Sequence, residues 1–484
     1  MVFSSQIFIF YFLPLTLAVY YGLPRRGRHL ALTLLSYLFY GWANPLFVVL
    51  LLTSTLISYV CGLKIAGERL WVGAASPSRE GSSPDLRQKK IWLFVSVVTS
   101  LSILGFFKYF NFALENYNAL FGWLGISGMR LDTVLKVTLP LGISFYTFQL
   151  LSYTIDVYRG QAKALRNFVD FACYISLFTQ LVAGPIIRFR EIADQMANRT
   201  HTAEKFARGV AFVSLGLAKK VMLANPCGKI ADVVFDAGSR GVLDAWYGLG
   251  AYAFQIYFDF SAYSDMAIGL GLMLGFVFPK NFDSPYLSQS ITEFWRRWHI
   301  SLSTWLRDYL YLPLGGNRKG VWRTYVNLAV VMLLGGLWHG ASWNFVIWGG
   351  IHGGMLVWER SQGKNAFYRR MPKTCRVAMT FFIVLIAWVF FRTADLPAAI
   401  TYLGSLFGLA AVQDGAGLLG GILYQPYYWG TFSLAAVIVW GCPQTWDWTR
   451  TIPPWKAAPI VLALLVSLAV LMTQAYNPFI YFIF

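Results

Sequence analysis

The sequence predicts an all-α protein that crosses a membrane many times. Of its 484 residues, 57% are hydrophobic and only 13% are charged, whereas an ordinary soluble domain carries about 25% charged residues. So few polar groups could not cover the surface of a water-soluble globule. Aromatic residues form 18% of the chain, as expected where many helix ends lie at the lipid–water interface. We therefore expect a polytopic membrane protein.

Apolar runs along the chain indicate how many helices there are. Several approach the roughly 20 residues that a helix needs to cross a bilayer. They lie at about 6–23, 29–42, 46–63, 91–114, 133–155, 168–186, 206–224, 242–278, 325–358, 377–393, 427–443 and 457–475. From these runs we expect about 11 to 14 membrane-embedded helices, including re-entrant or broken ones, within a single membrane domain that spans residues 1–484.

Three of these runs do not fit a single crossing. The run at 242–278 would be about 55 Å long as one helix, against a hydrocarbon core of about 30 Å. It is therefore predicted to be two crossings or a broken pair, and the same holds for 325–358. A basic segment follows 168–186, and the Gly-Pro pair near its end suits a break. That run is predicted to be re-entrant or to be half of a pair with 206–224.

The distribution of basic residues predicts the topology. The net charge is +18, and loop 64–90 holds six Lys and Arg, whereas 394–426 holds none. Because Lys and Arg are retained on the cytoplasmic side, loop 64–90 is predicted to be cytoplasmic and both termini extracytoplasmic. The first residues lack a basic stretch before the apolar run, so we expect a first helix that is not cleaved. No water-exposed basic module is long enough to bind nucleic acid, while attraction to anionic membrane lipid remains open.

Several enzyme classes are excluded by the motifs that are missing. The sequence has no G-x-S-x-G, no G-x-x-x-x-G-K-S/T and no H-E-x-x-H. The five cysteines are scattered without a C-x-x-C, so neither a metal site nor disulfides are predicted. Ionisable groups inside apolar runs are costly, and they are therefore the candidates for function. His29 and His201 lie beside basic, loop-like sequence and are expected to be solvated.

His339 is the strongest of these candidates. It lies near the middle of an apolar run, in LLGGLWHGASWNFVIWGG, with Gly335, Gly336 and Gly340 around it. These glycines permit a turn or a broken helix, and irregular backbone at such depth persists only where protein or a water-filled cavity surrounds it. From its position alone, His339 is equally well explained as a hydrogen-bonding group between helices or as a general base that acts on a hydroxyl.

The segment ITEFWRRWHISLSTWLRDYLYLPLGGNRKG predicts an amphipathic helix at the cytoplasmic interface, within an interfacial region at 280–323. At about 100° per residue, one aromatic stripe contains Trp298, Leu302, Trp305 and Tyr309. An adjoining polar face contains Arg296, His299, Ser303 and Arg307. A basic face that anchors the helix to anionic lipid would explain much of this pattern, but not why a histidine borders the aromatic stripe.

The remaining polar and small residues of the apolar runs have simpler interpretations. His352 would face away from His339 on a continuous helix, so we interpret it as structural. Asp259 and Asp265 are buried acids that could relay protons, although pairing with hydroxyls or arginine is favoured. The motif formed by Gly271 and Gly275, with Ala267, indicates helix packing through small residues.

The chain resembles the membrane-bound O-acyltransferases, specifically the bacterial alginate O-acetylase type. The stretches that carry the resemblance are LVAGPIIRFREIADQ, YFDFSAYSDMAIGLGL, the whole 285–320 segment, LLGGLWHGASWNFVIWGGIHG, and the terminal MVFSS and NPFIYFIF. The similarity spans essentially the whole chain. One departure is Ala262, where glycine is expected in the family's form of the motif.

The resemblance implies a many-helix fold around a tunnel that joins the cytoplasm to the exterior of a bacterial inner membrane. The essential histidine of the family falls on His339 in W-H-G, and a second, usually His or Asn, falls on His299 in W-H-I-S. Both are expected to be catalytic. The residues expected to bind substrate are Arg296, Trp298, Ser303, Arg307 and Trp338.

The resemblance also implies the substrates and partners. An activated acyl group, expected to come from acetyl-CoA, enters from the cytoplasmic side, and no cofactor is held by the protein. A periplasmic partner of the lipase-like esterase class often completes transfer to an exopolysaccharide. The sequence leaves open which glycan is acylated, whether the group is acetyl or a larger acyl such as D-alanyl, and whether His339 is a base or carries the acyl group. An exporter or flippase without acyl chemistry is the competing hypothesis.

Overall fold

The computed structural model describes residues 1–68, 85–131, 136–363, 367–413, 416–474 and 476–480. Every regular element in these ranges is helical, so the all-α class is confirmed. The described residues form two compact units. The first comprises Met1 with 7–202 and 274–278, and the second comprises 2–6, 203–273 and 279–484. A single domain over 1–484 stays a prediction, and most of the predicted cytoplasmic loop 64–90 lies outside the described residues.

In the described part of the chain, eight helices form the first unit. They are α1 (Leu13–Gly22, preceded by a π-helical turn at Phe8–Phe12), α2 (Arg25–Gly41), α3 (Pro45–Ala66), α4 (Leu86–Trp123), α5 (Ile143–Tyr158), α6 (Phe168–Ser176), α7 (Phe178–Leu181) and α8 (Phe189–Ala197). The predicted run at 168–186 is broken at Leu177 and leaves helical geometry again after α7. At about 1.5 Å per residue, α6 is only about 14 Å long, which agrees with the re-entrant alternative.

The two histidines expected to be solvated are instead part of a half-buried network in this unit. His29 Nδ1 lies 2.6 Å from an Asp170 carboxylate oxygen, and Arg199 lies 2.6 Å from His29 Nε2. The Tyr20 hydroxyl lies 2.7 Å from His201 Nε2. The expectation of solvation was therefore wrong, because partners distant in sequence cover both rings.

Thirteen helices among the described residues form the second unit. They are α9 (Ala203–Ala218), α10 (Asn225–Phe235), α11 (Val242–Met273), α12 (Ile291–Arg297), α13 (Ile300–Leu306), α14 (Val321–His339), α15 (Trp343–Gln362), α16 (Lys373–Arg392), α17 (Leu396–Leu406), α18 (Leu419–Leu423), α19 (Pro426–Gly441), α20 (Thr445–Trp448) and α21 (Pro454–Thr473). A π-helical turn at Lys219–Ala224 joins α9 to α10.

The helix α11 corrects one expectation. Its 32 residues form one unbroken helix about 48 Å long, not two crossings or a broken pair. Nearly all of it is buried against neighbouring helices, including α9, α10 and α16. A limit set by bilayer thickness applies to a helix surrounded by lipid. The long apolar run of α11 is instead explained by its burial against other helices.

Small residues do pack α11 against α9, but Gly275 is not one of them. A side chain at Gly209 would come within 2.6 Å of the Gly269 carbonyl oxygen, and one at Gly216 within 2.8 Å of the Ala262 carbonyl oxygen. Gly275 instead lies just after the end of α11, with φ of +87°. The contact therefore runs through Gly209, Gly216, Ala262 and Gly269, and the Gly271–Gly275 spacing does not define it.

The buried acids of α11 are paired with lysines. Lys219 Nζ lies 2.8 Å from Asp265, and Lys220 Nζ lies 2.7 Å from Asp259. The second pair is almost fully buried, and Asp259 also accepts a hydrogen bond of 2.7 Å from the Ile480 amide. The favoured interpretation, that these acids hold helices together, agrees with the structure. Their partners are lysines, however, and not arginine or hydroxyl groups.

Five helices among the described residues are long and apolar enough to cross a membrane. They are Pro45–Ala66, Leu86–Trp123, Val321–His339, Lys373–Arg392 and Pro454–Thr473. The predicted break in 325–358 is confirmed, because α14 ends at His339 and α15 begins at Trp343. The polytopic class is thereby supported, while the total of 11 to 14 embedded segments and the tunnel stay predictions.

Candidate active site

His339 is the last residue of α14. The chain leaves the helix at Gly340, which is extended (φ −159°, ψ 150°). Any side chain at position 340 would overlap the Phe345 ring, so the glycine is required by close approach and not by an unusual backbone angle. The break places a histidine that is only 7% exposed at the junction of α14 and α15.

Three aromatic rings surround the His339 imidazole. Its centroid lies 5.0 Å from Trp338, 5.2 Å from Trp348 and 5.2 Å from Phe391, with interplanar angles of 68° to 80°. Edge-to-face packing of this kind holds a ring in one orientation. It also excludes water, which strengthens any electrostatic interaction made at the site.

The predicted amphipathic helix at 291–309 is broken in two at His299. Helix α12 ends at Arg297, Trp298 is extended, and His299 adopts a left-handed conformation (φ 44°, ψ 56°) before α13 begins. A non-glycine residue in this region is uncommon and persists only where its surroundings enforce it. The Ile300 amide donates to the Asn281 carbonyl oxygen at 2.9 Å, which holds the chain at the break.

The break turns the His299 ring into the protein. The residue is fully buried, and its ring lies 4.6 Å from Phe260 and 6.3 Å from Trp338. Since Trp338 also contacts His339, both histidines lie against the same indole. The structure therefore brings the two residues predicted to be catalytic together, although neither glycine nor proline marks the break at 299.

Arg296, Ser303 and Arg307 were predicted to share one polar face with His299, but the break at His299 divides them between two helical segments. Trp298 is buried in the core and stacks on Phe294 at 5.6 Å. Ser303 Oγ donates weakly to the Trp298 carbonyl oxygen at 3.4 Å, while Arg307 is exposed and pairs with Asp308 at 2.7 Å. The helical-wheel argument failed because it assumed a continuous helix through His299.

Arg296 lines an open cavity of about 920 Å³, whose other lining residues come from α12, α14, α15 and adjoining segments. The acids that line this cavity are engaged: Glu359 accepts from the Ile291 and Thr292 amides, and Glu293 and Asp283 pair with Arg297. Among the described residues, Arg296 and Arg360 have no acidic partner. The cavity therefore presents positive charge that could bind an anionic group.

His352 lies beside the same aromatic cluster. Its ring is 4.8 Å from Trp348, and the Trp295 indole N–H donates to His352 Nδ1 at 3.3 Å. The structural interpretation of His352 fits this packing. The statement that it faces away from His339 held only for a continuous helix, and both rings in fact contact Trp348.

Sequence reasoning missed three residues that shape the site. Trp348 and Phe391 pack against His339, and Asn281 bonds to His299. Tryptophan and phenylalanine are so common in this chain that their positions carry no signal. Asn281 is a polar residue just after an apolar run, a position that usually indicates only a loop.

The chain is similar to known membrane enzymes along its whole length. A family model for membrane-bound O-acyltransferases matches residues 162–394. The chain is 44% identical to a probable alginate O-acetylase of Pseudomonas putida, with all of both chains covered. It is 48% identical to a probable alginate O-acetylase of Azotobacter vinelandii, over 84% of this chain and 78% of that one.

A further relative is named for a different acceptor. A peptidoglycan O-acetyltransferase of Helicobacter pylori is 37% identical, over 85% of this chain and 81% of that protein. The family model covers both histidines and the residues that pack against them. On this full-length similarity and on the matching motifs, the chain belongs to the membrane-bound O-acyltransferase family.

Proposed function

We propose that this enzyme transfers acetyl groups from acetyl-CoA on the cytoplasmic side for the O-acetylation of an exported, alginate-like polysaccharide. The names of its relatives support acetyl as the group and a glycan as the acceptor class, since two are probable alginate O-acetylases and one is a peptidoglycan O-acetyltransferase. The fully covered Pseudomonas putida relative is the strongest support for an alginate-like acceptor.

The observation that carries the proposal is the pair of buried imidazoles that flank Trp338. In acyl transfer from a thioester, a hydroxyl oxygen attacks the carbonyl carbon, the new C–O bond forms, and the C–S bond breaks. His339 accepts the hydroxyl proton and returns it to the leaving thiolate, so that the ester and the free thiol result. General base catalysis of this kind contributes about 10² to 10⁴ in rate, and holding both reactants in a water-excluded site contributes further.

Arg296 and Arg360 support an anionic donor. Both line the cavity beside α12, both are exposed, and among the described residues neither has an acidic partner. The phosphates of coenzyme A would find guanidinium groups there, which bind phosphate through paired N–H donors. Because α12 leads directly into Trp298 and His299, a donor held at this cavity would have its thioester directed toward the two histidines.

The topology is part of the proposal. We infer that the chain lies in a bacterial inner membrane with both termini outside. A periplasmic esterase-like protein then completes transfer to the polymer. Single cysteines introduced at Ser83, which lies outside the described residues, and at Gly417 should react from opposite sides. The background should lack the exposed Cys375 and Cys442. Reaction of both new cysteines from the outside would contradict the orientation.

Transport without chemistry is the second hypothesis, since a polytopic protein with a charged cavity would also suit an exporter. The deciding experiment supplies acetyl-labelled coenzyme A to the cytoplasmic face of inverted membrane vesicles that contain the periplasmic partner and polymer. An acyltransferase releases coenzyme A and labels the polymer, and His339→Ala does neither. An exporter moves polymer without consuming the donor, and that result would overturn the proposal.

A further inference from the structure

Asn281 surrounds the backbone break at His299 with hydrogen bonds. Its carbonyl oxygen accepts from the Ile300 amide at 2.9 Å. Its side-chain oxygen accepts from the Ser301 amide at 3.2 Å and from the Ser301 hydroxyl at 2.8 Å. His299 Nδ1 lies 3.2 Å from the same oxygen. Asn281 is itself only 1% exposed, so these contacts are shielded from water.

The orientation of the Asn281 amide is fixed by its partners. A backbone N–H can only donate, so the atom that faces the Ser301 amide must be the oxygen. The amide nitrogen then points to Ser264 on α11, whose hydroxyl oxygen accepts at 2.9 Å. Exchanging the two amide atoms would set two donors against each other, and the assignment therefore does not depend on seeing hydrogens.

The fixed oxygen determines where the His299 ring carries its proton. An acceptor oxygen at 3.2 Å from Nδ1 requires a hydrogen on that nitrogen, because two lone pairs would otherwise face each other inside the protein. The Ser301 hydroxyl lies 3.4 Å from Nδ1 but donates to the amide oxygen over a shorter distance. A neutral His299 therefore carries its proton on Nδ1 and a lone pair on Nε2.

Nε2 of His299 is left as a buried acceptor. It is fully shielded and makes no hydrogen bond to any described residue. A nitrogen in this state accepts a proton or a hydrogen bond, and it cannot donate to a thioester carbonyl. Leaving such a group unmatched inside a protein is costly, so a hydrogen-bearing partner is expected from the substrate.

We propose that Asn281 is a positioning residue that holds His299 as the Nδ1-protonated tautomer, so that Nε2 accepts a hydrogen bond from a hydroxyl of the incoming acceptor other than the one that His339 deprotonates. The inference rests on the proposed acyl transfer. It gives His299, which the resemblance places among the catalytic residues, the specific role of a hydrogen-bond acceptor. His352 provides the contrast within the same unit, because the Trp295 indole donates to its Nδ1 and leaves the proton of a neutral ring on Nε2.

The test is the position of the proton in the resting protein. Solid-state NMR in lipid bilayers, with histidine ¹⁵N-labelled at either Nδ1 or Nε2, separates a protonated ring nitrogen from an unprotonated one. The ¹⁵N signal of His299 is identified as the one that is missing from the spectrum of the His299→Gln variant. We expect the proton on Nδ1 in the native protein, and a shift toward Nε2 in Asn281→Leu. A native ring protonated on Nε2 would overturn the inference, as would an unchanged tautomer in Asn281→Leu.

Matched variants separate positioning from folding. Asn327→Leu removes another buried asparagine of the same unit, which bonds to the Gly316 carbonyl oxygen and to no histidine, and should leave the His299 signal unchanged. Asn281→Asp keeps an acceptor oxygen and should keep the Nδ1 proton even if Asn281→Leu does not accumulate. Ser301→Ala should leave the tautomer unchanged, and a switch in that variant would assign the role to Ser301 instead.

Activity gives an independent readout. Asn281→Leu should lower acetyl transfer on the order of 10²-fold, because a misdirected catalytic group costs about that much, and Asn281→Asp should retain more activity than Asn281→Leu. The tautomer is measured without substrate, so a failure of the acetyl-transfer assay would refute the proposed function while the proton position still decides the role of Asn281.

Discussion

The two histidines of the candidate site lie at helix breaks that have different origins. The break after His339 is marked in the sequence by Gly340, whose missing side chain makes room for Phe345. The break at His299 carries no glycine or proline, and a left-handed residue is held there by contacts from Asn281. The first break was predicted and the second was not. A break encoded by local residues can be found from sequence, whereas one imposed by distant hydrogen bonds cannot.

The largest expected effect is the loss of acetyl transfer when the histidine at the glycine-marked break is replaced. His339→Ala should abolish acetyl transfer, with a loss of at least about 10² to 10⁴, while the protein still inserts and folds. His339→Gln is the sharper variant, because it keeps hydrogen bonding but cannot accept a proton at neutral pH. A well-folded His339→Gln protein that acetylates at a near-normal rate would return His339 to a structural role.

The glycine-marked break should be sensitive to a single methyl group. In Gly340→Ala the new carbon overlaps the Phe345 ring, which packs on Phe391 at 5.0 Å and through it on His339. Overpacking of this kind costs about 1 to 3 kcal/mol, and we expect acetyl transfer to fall with it. Gly354→Ala is the control, since nothing lies within 4 Å of a side chain added there. Equal behaviour of both variants in thermal unfolding would contradict this account of the break.

The two breaks should respond in opposite order to glycine and alanine. At position 299 the left-handed backbone makes His299→Gly more stable than His299→Ala by about 1 kcal/mol. At position 339 the backbone is helical, so His339→Gly should be the less stable of its pair by up to about 1 kcal/mol. All four variants lose the imidazole and should lose activity. The comparison is made by unfolding in detergent, and a His299→Ala protein at least as stable as His299→Gly would show that the left-handed residue bears no strain.

The smallest expected effect distinguishes a broken α12–α13 segment from a continuous helix. On one helix Arg296 and Arg307 would share a face, but in the structure only Arg296 lines the cavity and Arg307 pairs with Asp308. Arg296→Ala should raise the apparent KM for acetyl-CoA several-fold, in line with the loss of about 1 kcal/mol of binding. Arg307→Ala should leave it nearly unchanged. The apparent KM is measured from initial rates at varied donor concentration. An equal rise in KM for both substitutions would favour the continuous helix.

Hydropathy predicted where most helices begin and end, but not what surrounds them. It found α3, α14, α16 and α21 because their apolar length matches a bilayer. It failed for α11, since burial against other helices and burial in lipid select the same residues. The candidate site was likewise predicted only in part. The glycines beside His339 mark it in the sequence, whereas the conformation of His299 depends on Asn281, eighteen positions earlier.

The buried pair of Lys220 and Asp259 imposes an order on biosynthesis. Lys220 also donates to the Pro478 carbonyl oxygen, and Asp259 accepts from the Ile480 amide. Helices α9 and α11 leave the ribosome more than two hundred residues before these two partners do. Until residue 480 has been translated, the pair lacks part of its hydrogen bonding, and a half-satisfied ion pair is unfavourable in an apolar interior. The Lys220–Asp259 pair therefore gains its full set of hydrogen bonds only after residue 480 has been translated.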